Sequence, residues 1–251
     1  MEEVTVAGES VPAVKSLSQT ERVVDIFVAP SKTFTDILRS TSWWLPFLLM
    51  VVASAAMAFS IDRKVGFDRV TEQAVMQNPQ AADQLAQLTP QQRAVRMSVA
   101  TVITRDSVYA SGVLLLVMAA VTALLMWVSF NFGLGAQTTF GQNLAVFLYA
   151  YLPHLFLVVI EIVLLWLGVN TENFDINFPV GTNPGYYLSD APHWIRAGLG
   201  FLDLFGLWSL ALMVLGMAII SRKSKAQAAV VVVGWWLMAV LVTAGLTAVR
   251  G

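Results

Sequence analysis

Cysteine is absent from the 251 residues, which removes disulfides, thiolate metal sites and cysteine nucleophiles together. Histidine is scarce: His154 and His193 are the two in the chain, too few for a histidine-based metal cluster, so no metal is expected. Charge is sparse as well, at 12% Asp, Glu, Lys and Arg with a net charge of -1. That balance lacks the basic face a nucleic-acid partner requires. The opening residues, MEEVTVAGESVPAVKS, have no apolar h-region, so no cleavable signal peptide is expected and the first apolar run should insert as an uncleaved helix. Nucleotide-binding signatures are missing too, and no cofactor is called for.

What the chain has is apolar surface. Hydrophobic residues make up 57%, and they fall into runs near the 20 or so residues that cross a bilayer. The expected fold is an all-α integral membrane protein with five transmembrane helices, at about 43–61, 108–130, 144–169, 199–220 and 228–249. Residues 1–42 are read as a cytosolic arm and amphipathic helix, and 43–249 as the membrane domain.

In chain order, 1–17 lacks periodicity and reads as a mobile arm. From Ser18, Val23, Val24, Phe27 and Val28 recur at helical spacing, as do Phe34, Ile37 and Leu38, with Pro30 dividing the two segments. This stretch is expected either to lie on the bilayer as an interfacial helix or to pack on the protein's own cytosolic face. Span one opens on Trp43 and Trp44, suited to the headgroup belt, and carries Ser54 and Ala58 on a small-residue face. The insert at 62–107 should form two short extramembrane helices beginning at Asn78-Pro79 and Thr89-Pro90, the second running on into span two. Ala119 and Ala123 repeat the small-residue spacing. NFGLGAQTTFGQN then reads as a tight hairpin, since no strand precedes it and no lysine follows it as a phosphate loop would need. After span three, 170–200 is a long aromatic and acidic loop of the kind that is functional or partly buried; Tyr186, Tyr187 and Trp194 are expected at interface depth.

Span three is the chemically suggestive one. It holds Pro153, His154 and Glu161, and an intramembrane Glu is by default a functional-site hypothesis with a partner to be found. His154 and Glu161 are seven apart, two helical turns, and share a face. Candidate partners for Glu161 are His154, Asp203 near the start of span four, and the hydroxyls of Thr122 and Ser129. One reading of His154, Glu161 and Asp203 is a polar pocket handling a proton, an ion or a lipid headgroup; the other is a protonated Glu that fixes helix packing. Aspartyl intramembrane proteolysis needs two Asp residues, and Asp203 alone lies near a span interior, so no enzyme is expected.

Orientation follows Lys and Arg in short loops. With the N-terminus inside, Lys15, Arg22, Lys32, Arg39, Arg222, Lys223 and Lys225 face in, against Arg63, Lys64, Arg69, Arg93, Arg96, Arg105, Arg196 and Arg250 outside. That is nearly a tie. The short connector SRKSKAQ is basic without an acid, whereas the loop after span three carries Glu172, Asp175 and Asp190, which places the N-terminus in the cytosol and the C-terminus outside.

Several of these features together resemble the Yip domain of the Ypt/Rab-interacting protein family in its prokaryotic form. The features are Phe27, Pro30 and Phe34 in a Phe-x-x-Pro-x-x-x-Phe run, Tyr149, Tyr151 and Pro153 in Tyr-x-Tyr-x-Pro, and the glycine-bearing hairpin between spans two and three. The resemblance covers 18–249. It implies a non-enzymatic membrane protein with a cytosolic N-terminus, here of a prokaryotic inner membrane. Eukaryotic members bind prenylated small GTPases and act in vesicle trafficking. This chain has Val28-Ala29-Pro30-Ser31 where those members carry an Asp-Leu-x-Gly-Pro-like motif, so their trafficking role is not carried over. Two functions follow as expectations. The first is a scaffold in the bilayer that recruits membrane-protein partners or further copies of itself through Phe27, Pro30, Phe34, Arg222, Lys223 and Lys225. The alternative is a transport or lipid-handling component built around Glu161.

Overall fold

The computed structural model describes residues 16–169, 171, 172 and 174–250; most of the expected N-terminal arm lies outside them. Every regular element among the described residues is helical. Five stretches are long and apolar enough to cross a membrane: Trp44–Lys64, Pro90–Gly133, Phe140–Trp166, Leu204–Ser221 and Lys225–Val249.

Two short helices precede the first span. Helix α1 (Gln19–Val28) starts from a capping box in which Ser18 and Glu21 satisfy each other's backbone N–H groups. Ala29 alone separates it from α2 (Pro30–Ile37), which has Pro30 at its first position, where the missing N–H costs nothing. Of the two expectations for this stretch, packing on the protein describes it better. Ile26, Phe34 and Ile37 are fully buried and join residues of the third, fourth and fifth spans in the main hydrophobic core. Burying each such side chain is worth about 1.5–3 kcal/mol, so the pair is a structural part of the bundle.

Helix α3 (Trp44–Lys64) is the first span. It meets the second where a Cβ on Gly112 would lie 2.9 Å from Val51 Cα and 3.3 Å from Ser54 Cβ, the close approach that its small-residue face allows. The insert holds α4 (Phe67–Met76) and α5 (Pro79–Ala86), one helix more than the Pro-based starts indicated, because α4 begins at Gly66 without a side-chain cap. Then comes α6 (Pro90–Val128), opened by a Thr89–Gln92 capping box and running unbroken into span two. Its Ala119 and Ala123 are fully buried against Leu144 and Leu148. A π-helical turn, Ser129–Gly133, ends it. Gly135 at φ 61° then turns the chain back, and Asn131 clamps Thr138 through both its amide oxygen and nitrogen.

Span three is two helices, α7 (Phe140–Ala150) and α8 (His154–Trp166), displaced a few residues towards the N-terminus from 144–169. Pro153 has no N–H to continue the ladder, and Tyr151–Pro153 form the joint between them. The following loop is ordered by α9 (Pro184–Tyr187) and α10 (His193–Gly200). Arg196 there pairs with Asp175 at 3.3 Å and lies 4.4 Å over the Phe178 ring. Span four is α11 (Leu204–Ser221), five residues later than 199 because Leu199 belongs to α10. Arg222, at φ 54°, makes the left-handed turn that ends α11, and α12 (Lys225–Arg250) completes the chain as span five. Span five packs on α10 and α11 and is the least covered of the five, with Val230 and Leu241 75% and 68% exposed.

Candidate functional site

Of the residues singled out on span three, His154 reaches span four, and the others are used separately. Tyr151, at the proline joint, stacks on His154 with ring centroids 3.9 Å apart. His154 Nδ1 lies 3.2 Å from the Tyr151 carbonyl and 3.1 Å from Ser209 Oγ on α11. One nitrogen cannot serve both as donor and as acceptor: protonated, it donates to the carbonyl; unprotonated, it accepts from the Ser209 hydroxyl. The first bond is local to the proline joint; the second ties α8 to α11.

Asp203 stands at the N-terminal end of α11, where its Oδ1 accepts from the backbone N–H groups of Phe205 at 2.9 Å and Gly206 at 3.0 Å. Its other oxygen accepts a short bond from the Thr182 hydroxyl. Asp203 is therefore a helix cap that also pins the preceding loop, immediately before the first residue of span four. It remains within electrostatic reach of His154 and Glu161. Glu161 is 8% exposed on α8 and makes no hydrogen bond or ion pair among the described residues. The hydroxyl of Ser129, offered as its partner, instead accepts from Trp235 Nε1 at 2.9 Å. An open, mostly apolar cleft of about 620 Å³ lies beside Asp203, between the 181–188 loop and Leu202, Leu204 and Leu207. Among the described residues no three His, Asp or Glu side chains group so as to hold a metal ion.

A second polar centre lies beneath α1 and α2, and the sequence reading missed it. Arg22 and Asp36 are 1% and 5% exposed. Asp36 Oδ2 accepts from Arg22 Nε at 2.8 Å and ion-pairs with a terminal nitrogen at 2.7 Å. The remaining terminal nitrogen donates to the carbonyls of Ser40 at 2.9 Å and Ser42 at 3.3 Å. Thr33 returns a bond to the Arg22 carbonyl at 2.9 Å. From α7, the Tyr149 hydroxyl lies 2.8 Å from Gln19 Oε1 and 3.4 Å from the Ser42 carbonyl. Part of the signal was present: Arg22 is four residues before Ile26 and shares its face, whereas Asp36 stands off the stripe of Phe34, Ile37 and Leu38.

The expected docking residues divide. Phe34 is fully buried. It lies so close to Gly216 that a Cβ there would be 2.8 Å from its ring, so it belongs to the core and offers no surface. Phe27 is partly buried, with its ring 5.1 Å from Phe156 and 5.8 Å from Trp208, and Pro30 starts α2. Arg222 and Lys223 lie in the turn between α11 and α12 and Lys225 opens α12, and among the described residues none of the three forms a salt bridge.

Compared with known proteins, the chain matches one family model, described as the Yip1 domain, over residues 24–246. No curated protein and no solved structure matches it.

Proposed function

The chain belongs to the Yip1 domain family of membrane proteins, and on that premise we propose that it is a non-enzymatic scaffold that recruits partners at a prokaryotic inner membrane, with its N-terminus in the cytosol. The observation that carries this reading is the use of the polar side chains. Arg22, Asp36, Tyr149, His154 and Asp203 each bond another helix, a loop or a helix end, the pattern of side chains that hold a bundle together. Interaction then falls to what the bundle presents: the outer side of α2, with Ser31, Lys32 and Thr35 exposed, and the basic turn at 222–225.

The absence of cysteine makes the test clean. Single cysteines at Lys32 and Thr35, carrying a photo-cross-linker in native membranes, should capture a discrete protein band. The same probe at Val121, exposed on the apolar side of α6, should give lipid adducts only. Adducts to lipid alone from all three positions would count against recruitment through α2.

A second reading, transport or lipid handling, is favoured by one observation: Glu161, 8% exposed, has no hydrogen-bond partner for its carboxyl among the described residues. Glu161→Gln keeps the shape and loses the ability to ionise. If this reading holds, purified chain in vesicles conducts protons or ions and the variant does not; a wild type without flux removes it.

A further inference from the structure

Spans two and five leave an open groove between them at one face of the membrane. It has a volume of about 450 Å³, and its walls include Gly133, Leu134, Val230, Val231, Gly234 and Met238. The bond from Trp235 Nε1 to Ser129 Oγ, 2.9 Å long, sets the two walls side by side. A Cβ added at Gly133 or at Gly234 would meet nothing within 4 Å, so the glycines leave a slot rather than seat a neighbouring helix.

The membrane face at which the slot lies carries cations. Span two ends, and span five begins, on the same side of the membrane, since two further spans separate them in the chain. The 222–224 turn therefore lies at this end. Arg222 N–H bonds the Ile219 carbonyl and Lys223 N–H the Ala218 carbonyl, which folds the turn tightly back. Ser224 then caps α12, accepting from Gln227 N–H at 3.2 Å. Lys225 opens α12 about 7.5 Å of helix before Val230 and on another face of it. Residues 221–227 contain three cations and no acid.

We propose that this groove binds one anionic phospholipid of the adjoining leaflet, with an acyl chain in the slot over Gly133 and Gly234 and the phosphate drawn to the cationic 222–225 segment at that face. An apolar slot at a membrane face that carries unpaired cations is complementary to that amphiphile in both parts. A second copy fits less well. A two-fold contact uses the same patch on both chains, which would bring two all-cationic turns to one face, and like charges at an interface are repelled.

The test uses the full chain in a neutral detergent, with dioleoylphosphatidylglycerol or dioleoylphosphatidylcholine added and bound lipids counted by native mass spectrometry. Wild type should retain the phosphatidylglycerol in preference. Gly234→Leu, which fills the slot without an internal clash, should lose the adduct while thermal stability without lipid stays the same. Lys223→Gln with Lys225→Gln should keep a lipid but lose the preference by about fivefold per lysine, each cation near a charged surface being worth about 1 kcal/mol. If Gly234→Leu does not fold, Gly133→Ala is read in its place. Equal retention of the two lipids by wild type overturns the proposal, as does an undiminished adduct in the slot-filling variant. A slot-filling variant that converts a dimer to a monomer also overturns it, making the groove an interface between copies.

Discussion

Replacing Asp36 by alanine should be among the most damaging single changes to this bundle. Asp36 Oδ2 faces both Arg22 Nε, at 2.8 Å, and a terminal guanidinium nitrogen, at 2.7 Å, with the two residues 1% and 5% exposed. Without the carboxylate, two guanidinium directions are left with no acceptor in a site that water does not reach. Removing one partner of a buried pair costs about 3–5 kcal/mol, because it leaves an uncompensated charge. The double variant Arg22→Met, Asp36→Leu should be milder. It removes the charge as well and fills the space with apolar side chains, leaving the Ser40 and Ser42 carbonyls without their guanidinium donor. Ser40 is exposed, so water replaces the donor there, while Ser42 is half-buried and its bare carbonyl costs about 1–3 kcal/mol, partly offset by the apolar burial. The assay is reversible unfolding in mixed micelles with increasing denaturing detergent, comparing the wild type, both single variants and the double variant. The double variant should be more stable than Asp36→Ala. An Asp36→Ala cost under about 1 kcal/mol, or a double-variant cost equal to the sum of the singles, would refute a buried, coupled pair.

The same titration checks three further expectations. Gly216→Ala should cost about 1–3 kcal/mol by overpacking, because its Cβ would lie 2.7 Å from Val146 Cγ1 and 2.8 Å from Phe34 Cε1; a neutral result would mean that α2 is not seated on α11. Asp203→Ala should lose about 0.5–2 kcal/mol for the helix cap, and Asp203→Asn, which can still cap, should recover most of it. Tyr149→Phe should lose about 0.5–1.5 kcal/mol for its hydroxyl bonds, and that loss should shrink when Gln19 is already alanine.

The spans were legible because hydrocarbon imposes a long-range rule on composition. The caps at Asn78 and Thr89 were legible because their chemistry is local, a side-chain oxygen on an N–H three residues on. The boundary of span four was not. Leu199 and Leu204 are equally apolar, and a cap at Asp203 with a separate α10 separates them only in three dimensions. The role of Asp203 was open for the same reason: an acid at the head of an apolar run reads alike as an intramembrane group and as a cap. Phe34 was read as surface because the partner that buries it, Gly216, is 182 positions later in the chain. Arg22 stood on the face of Ile26, but its pairing with Asp36 across Ala29 is a tertiary fact. The pattern of Phe27, Pro30 and Phe34 nonetheless led to the family, and the family match covers that stretch.

The central claim is that the polar residues of spans three and four seal a seam between helices. Its most direct test is the water accessibility of that seam. Single cysteines at Glu161, Ser209 and Lys32, in a chain with none of its own, can be treated in intact and in permeabilised membranes with a membrane-impermeant maleimide. The account predicts that Lys32→Cys is labelled from one side, while Glu161→Cys and Ser209→Cys stay unmodified until the protein is unfolded. Labelling of Glu161→Cys in the folded protein, at a rate near that of Lys32→Cys, would contradict the seam and identify a water-filled pathway.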